Sequence, residues 1–157
     1  MRGSTRAVSL LVGLVILLFA GASMAAEHPG TAVPSKAKEH PGTPVTAESV
    51  KDAVRDHVSQ VTKDTAGLFI LDDSQTKKIW RLKLVKIHDP VRMFERDGKK
   101  IYFACSDFKS TEGDDVLDID FWMVPQGDKF QVIETKIHKV NGQARYKYEG
   151  EEPKPIK

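Results

Sequence analysis

The chain has a single cysteine, Cys105, so no disulfide can close within it and the fold must be held by packing alone. Cys105 alternates with Ile101 and Phe103, a pattern that predicts a buried, unreactive thiol. Recognisable catalytic patterns are also missing. No serine sits in a nucleophile elbow, Cys105 has no activating neighbour, and His57, His88 and His138 have no adjacent residue that would make a general acid or base of them. The expectation is therefore a protein that is not an enzyme. An excess of charge is lacking too. Arg2 and Arg6 precede every acidic residue, and without them the 24 basic residues fall level with the 22 acidic ones. A neutral chain with interspersed signs has no broad basic face for counterion release, which argues against nucleic acid as a partner.

The first 26 residues stand apart. Arg2 and Arg6 lead into the apolar run Val8 to Ala20, and the small residues Ala22-Ser23-Met24-Ala25-Ala26 close it. This is the pattern of a secretory signal peptide and predicts a periplasmic or secreted protein with no stable membrane anchor after cleavage. Gly13, Gly21 and Ser23 dilute the run as a bilayer span, and no cysteine at its exit offers a thiol for lipid attachment. Cleavage after Ala25 places Ser23 and Ala25 at the small specificity positions, so the mature chain starts Ala26-Glu27-His28. A free amine, two amides and a histidine at position three can wrap copper(II) or nickel(II) in a square plane, with His40 as an axial contact. Cleavage one bond later removes that site, and the plainer alternative is that His-Pro-Gly is a soluble, turn-rich spacer.

Residues 27–45 contain a duplication, Glu27-His28-Pro29-Gly30-Thr31 and Glu39-His40-Pro41-Gly42-Thr43, among prolines that cannot propagate a helix. It reads as a flexible linker. A helix is predicted from Thr46, with Glu48 and Ser49 in its first turn and Val50, Val54, Val58 and Val61 along one face. Gly67 ends it, and from Leu68 the period changes to two. Trp80, Leu82 and Leu84 share one face of a strand whose other face carries Arg81 and Lys83, which predicts a sheet wet on one side. His88-Asp89-Pro90 breaks that strand, and Asp97-Gly98 and Asn141-Gly142 mark hairpins. Leu117, Ile119, Phe121 and Met123 alternate along a further strand, and the Pro-rich residues 150–157 are predicted to be a loose tail.

These elements predict an α+β fold over residues 46–149, roughly 105 residues and near the usual size of one domain: an N-terminal amphipathic helix on a curved antiparallel meander of five to six strands. That element order, from Thr46 to Tyr148, resembles the cystatin-like and NTF2-like superfold, in which a leading helix lies in the concavity of a bent sheet. The leader and the Glu-His-Pro-Gly segments are similar to those of small exported bacterial proteins, which implies a periplasmic address.

Two further features bear on function. The acidic run Glu112, Asp114, Asp115, Asp118 and Asp120 lacks the spacing of a calcium-binding helix-loop-helix and reads as a solvated face. Trp122 alternates onto the same outer face as Asp118 and Asp120, so an exposed tryptophan beside carboxylates is expected there. The leading expectation is a non-enzymatic binding or accessory domain of the periplasm, contacting an envelope protein or small ligand through Trp122, Asp118, Asp120, Arg81 and Lys83. Two rivals remain: copper(II) or nickel(II) binding through Ala26, Glu27, His28 and His40, and an NTF2-like ligand pocket or enzyme. Dimerisation through a sheet face or edge is compatible with any of them.

Overall fold

The helix forms where its capping chemistry and valine spacing require it. In the structure, a computed structural model describing residues 28–35 and 45–156, α1 spans Ala47–Val61 and starts at a reciprocal cap. The Ser49 amide donates to Thr46 Oγ1 at 3.1 Å, and the Thr46 amide donates to Ser49 Oγ at 3.0 Å. Val50, Val54 and Val58 are buried along one face, each removing about 1.5–3 kcal/mol of apolar hydration cost. The Gly67 amide closes the end on the Thr62 carbonyl at 3.0 Å, with Ala66 and Gly67 both at positive φ.

Of the described residues, 56% lie in strands and 12% in the helix. The α+β expectation is therefore corrected to a mostly β fold with one helix, and that helix is not the first element. It follows β1 (Thr31–Ala32) and precedes β2 (Phe69–Asp73), β3 (Lys78–Ile87), β4 (Arg92–Arg96), β5 (Lys99–Ser110), β6 (Val116–Gln126), β7 (Lys129–Val140) and β8 (Gln143–Ala144). These antiparallel strands make one sheet in the order β1-β4-β5-β6-β7-β8, with β2 and β3 also joined through β5, and the sheet curls into a half-barrel. The long strand β5 organises it. One edge pairs with β6, while the other pairs first with β4 and then with β3. β3 and β4 thus form one line interrupted at His88-Asp89-Pro90, the predicted break. Asp97-Gly98 and Asn141-Gly142 turn the chain with positive φ at both residues, the mirror-image geometry that matches strand twist. No helix among the described residues is long and apolar enough to cross a membrane.

The concave face holds the main core. Trp80, Leu82, Phe108, Leu117, Ile119, Phe121 and Met123 close over the valine stripe of α1, as their alternation predicts. The convex face is wet at β3, where Arg81 and Lys83 are exposed as expected, but over β4, β5 and β6 it departs from expectation and is covered. Phe94, Ile101, Phe103, Cys105, Trp122 and Tyr146 form a second cluster with Tyr148 against it. The cover comes from Tyr146 and Tyr148, on the expected last strand, backed by two segments expected to be loose. After β9 (Tyr146–Glu149), the tail forms β10 (Glu152–Pro155) and pairs back on β9. At the other terminus, part of the expected linker is seated against the sheet, with Thr31 opposite Met93 and Ala32 opposite Arg92. Short polar and Pro-rich segments carry little periodicity, so pattern alone cannot show that a tertiary surface awaits them.

One buried ion pair fixes the C-terminal cover. Arg145 donates through both terminal nitrogens to the Asp73 carboxylate, at 2.8 and 2.7 Å, and Trp80 Nε1 and Thr76 Oγ1 donate to Asp73 as well, at 3.1 and 2.6 Å. Asp73 thereby ties the β2–β3 turn to the residue just before β9.

A candidate metal centre beneath the outer cover

Three strands and the N-terminal segment converge on the convex face. Cys105 on β5 lies opposite Asp120 on β6, and Asp118 shares Asp120's face two residues earlier. The Cys105 thiol donates to Asp118 Oδ1. On β7 the register shifts: Ile119 pairs with Ile137 but Asp118 pairs with Lys139, so His138 is the extra residue of a bulge. A bulge re-aims a side chain, and here it aims His138 into the outer cluster, where the residue is 2% exposed. Its Nδ1 lies 3.6 Å from Asp120 Oδ2 and 3.8 Å from Asp118 Oδ2. Tyr146 and Tyr148 donate their hydroxyls to the same Asp120 oxygen at 2.8 and 2.7 Å. The other carboxylate oxygen, Oδ1, is buried and finds no hydrogen-bond partner among the described residues. His28 completes the ring, its imidazole 5.4 Å from that of His138 and 5.5 Å from Phe103 between centroids.

The electrostatics follow from this burial. Desolvation, helped by the nearby Asp118 charge, raises the Asp120 carboxyl to about 7 against the opposing hydrogen bonds of the two tyrosine hydroxyls. Burial, then the charges of Asp120 and Asp118, pushes the Cys105 thiol far above its ordinary range. Burial and Asp120 do the same to the Tyr146 and Tyr148 phenols. Burial thus favours the neutral forms of Cys105 and Asp120, and a cation beside them would reverse that pressure.

The donors fit such a cation. One ligand atom each from His28, Cys105 and His138 lie within 4.8 Å of one another, and the same holds for Cys105, Asp118, Asp120 and His138. Bonds of about 2.0–2.3 Å in a tetrahedron place donor atoms roughly 3.3–3.8 Å apart, so closing on an ion needs side-chain adjustment and no change of fold. Thiolate and imidazole donors suit zinc and its neighbours rather than calcium or magnesium. A cleft of about 340 Å³, lined in part by His28, His88, Arg92, Cys105, Asp118 and Lys139, leads to the cluster from solvent.

The expected contact residues are divided by the fold. Trp122 and Asp120 are 1% and 0% exposed, and Asp118 is turned toward Cys105, so these three do not form an exposed patch. The alternation that put them on the outer face was read correctly, and the error lay in leaving that face uncovered. Arg81 and Lys83 are exposed on β3, where Arg81 pairs with Glu112 at 2.8 Å. Of the expected N-terminal metal set only His28 is described; Ala26, Glu27 and His40 lie outside the described residues. Among the other histidines, His57 lies in the core side of α1 beside Phe69 and Phe121, where burial lowers its pKa, and His88 faces Asp107 at 3.0 Å. Cys105 and His138 are candidate donors that the sequence reading does not name as such. A signal for His138 was present, because the inward positions Ile137 and Val140 are three apart and an unbroken strand would separate them by two or four.

Comparison of the chain with protein-family models, curated proteins and solved structures gives no match.

Proposed function

We propose that the chain is an exported, non-enzymatic metal-binding domain that takes one zinc(II)-class transition-metal ion on the convex face of its half-barrel. Cys105, His138 and His28 supply sulfur and nitrogen, and a carboxylate of Asp118 or Asp120 supplies oxygen. What supports this above all is the sharing of Cys105 and His138 by two donor sets, one with His28 and one with Asp118 and Asp120, the ligand atoms of each set lying within 4.8 Å of one another. The tyrosine hydroxyls on Asp120 act as supports that orient a donor, the role such neighbours take around metal ions. The aromatic frame of Phe103, Trp122 and Tyr148 narrows water access. The leader sequence supports a periplasmic or secreted address, where such a domain would buffer or hand on a metal ion.

Titration of the mature protein with cobalt(II), then zinc(II), tests this directly. One equivalent of cobalt should raise a thiolate-to-metal absorbance band that one equivalent of zinc removes. Cys105→Ser should abolish the band, and His138→Ala should weaken zinc binding by about tenfold or more. If no band appears and zinc is not retained at one equivalent, the cluster is a hydrogen-bonded polar core and the proposal fails.

A further inference from the structure

The seated segment 28–33 meets the sheet through a set of position-specific requirements. Gly30 sits at φ +77°, and a Cβ there would lie 2.6 Å from the Met93 carbonyl oxygen, so both the backbone conformation and the space demand glycine. Its own carbonyl accepts from Arg92 Nη1 at 3.0 Å. Thr31 Oγ1 donates to the Met93 carbonyl at 3.2 Å, and the Val33 amide donates to the Val91 carbonyl at 2.8 Å while its side chain enters the main core. Ala32 falls between these two bonded positions. Antiparallel alternation therefore turns its N–H away from β4, and it is exposed. Together with His28 in the outer cluster, these contacts read a pattern of His, any residue, Gly, Thr, any residue, Val.

The same pattern recurs twelve residues later as His40-Pro41-Gly42-Thr43-Pro44-Val45. Each position with a requirement is repeated, including the glycine that sterics demand and the valine that enters the core. The one change, Pro44 in place of Ala32, falls where no N–H is used, the only kind of ladder position that accepts proline. The spacing also suits the path of the chain. Pro34 follows Val33, and its carbonyl accepts from the Ala47 amide at 2.9 Å, so the end of the seated segment already adjoins the start of α1. In a register advanced by twelve, Thr46 takes the place of Pro34 and is bonded directly to Ala47.

We propose that the β4 edge is a receptor for this six-residue pattern and that the chain carries two ligands for it, the second being its own residues 40–45, which seat in the advanced register and bring His40 to the position of His28. The register with His28 seated keeps the Thr46–Ser49 cap, which favours it in the intact chain. The second copy takes over when the first is disabled or trimmed, close as it lies to the expected export cleavage bond. Docking of the backbone does not depend on the metal assignment, and only the role of the exchanged histidine does.

Amide hydrogen exchange on the metal-free mature chain separates the two. In the parent protein the Val33 amide should be protected. Gly30→Ala should expose Val33 and protect Val45, each by a change of roughly tenfold or more, with α1 and β5 to β7 unaltered and the protein monomeric. Gly42→Ala alone should leave Val33 protected, whereas Gly30→Ala/Gly42→Ala should leave both amides unprotected and lower the Tm below either single variant. Should Gly30→Ala fold poorly, deletion of residues 28–39 removes one repeat unit and should restore a folded chain with Val45 protected. Gly30→Ala behaving like the double variant, or Val45 becoming protected only in a concentration-dependent dimer, would overturn the proposal.

Discussion

Over β4, β5 and β6 the two faces of the sheet are both buried, but by different means. The concave face is closed by one amphipathic helix over aliphatic and aromatic side chains, and each residue there contributes through the area it removes from water. The convex face is closed by short segments from both ends of the chain over a ring of aromatics that encloses Cys105, Asp118, Asp120 and His138. An apolar core tolerates imperfect cover, because a loosened methyl loses only its own contacts. A buried polar cluster does not, since loosening admits water to some groups while leaving others desolvated and unpaired. Hence the convex face has a dedicated lock, the Asp73–Arg145 pair, and a steric key at Gly30.

If both faces are true interiors, Trp122→Ala on the convex side should destabilise the domain about as much as Phe121→Ala on the concave side, by about 3–5 kcal/mol in chemical denaturation. A loss below about 1 kcal/mol for Trp122→Ala would return the convex face to the status of a surface. Next in size is the lock. Asp73→Asn leaves Arg145 without its charge partner and should cost about 3 kcal/mol, because breaking a buried pair strands the remaining ion. The same pair predicts a pH dependence. The Arg145 hydrogen bonds hold the Asp73 carboxyl well below the usual carboxylate range, against burial, which raises it. A depressed folded-state pKa means that the pair's contribution is complete above the unfolded value of about 4 and is lost as the pH falls below it. Denaturation midpoints measured downward from pH 5 should therefore fall more steeply for the parent protein than for Asp73→Asn. Parallel curves would show that Asp73 does not govern the acid limb.

The comparison also explains what the sequence could disclose. Val50, Val54 and Val58, and the alternation from Leu117 to Met123, are periodic over several turns or strand repeats, so the concave core was legible. The breaks at His88-Asp89-Pro90, Asp97-Gly98 and Asn141-Gly142 were legible as backbone chemistry. The convex cover was not, because it depends on contacts between residues such as Asp73 and Arg145, or His28 and His138, that no local pattern links. Cys105 was placed correctly as buried, and its neighbours Asp118 and Asp120 were placed on the correct side of β6. Their meeting required knowing that β5 and β6 pair in the register that sets Cys105 opposite Asp120.

The smallest effect sharpens the boundary of the comparison. Arg81 and Lys83 lie on the outer side of β3, and both are exposed. Arg81 meets Glu112 at 2.8 Å with both side chains about half exposed, so solvent screens the pair and side-chain ordering offsets much of its attraction. Arg81→Ala should change stability by no more than about 0.5 kcal/mol, and raising the salt concentration should erase even that. A cost above about 1.5 kcal/mol would mean that the cover on the convex face reaches as far as β3, and that the sheet has no free outer surface at Arg81 to offer a partner.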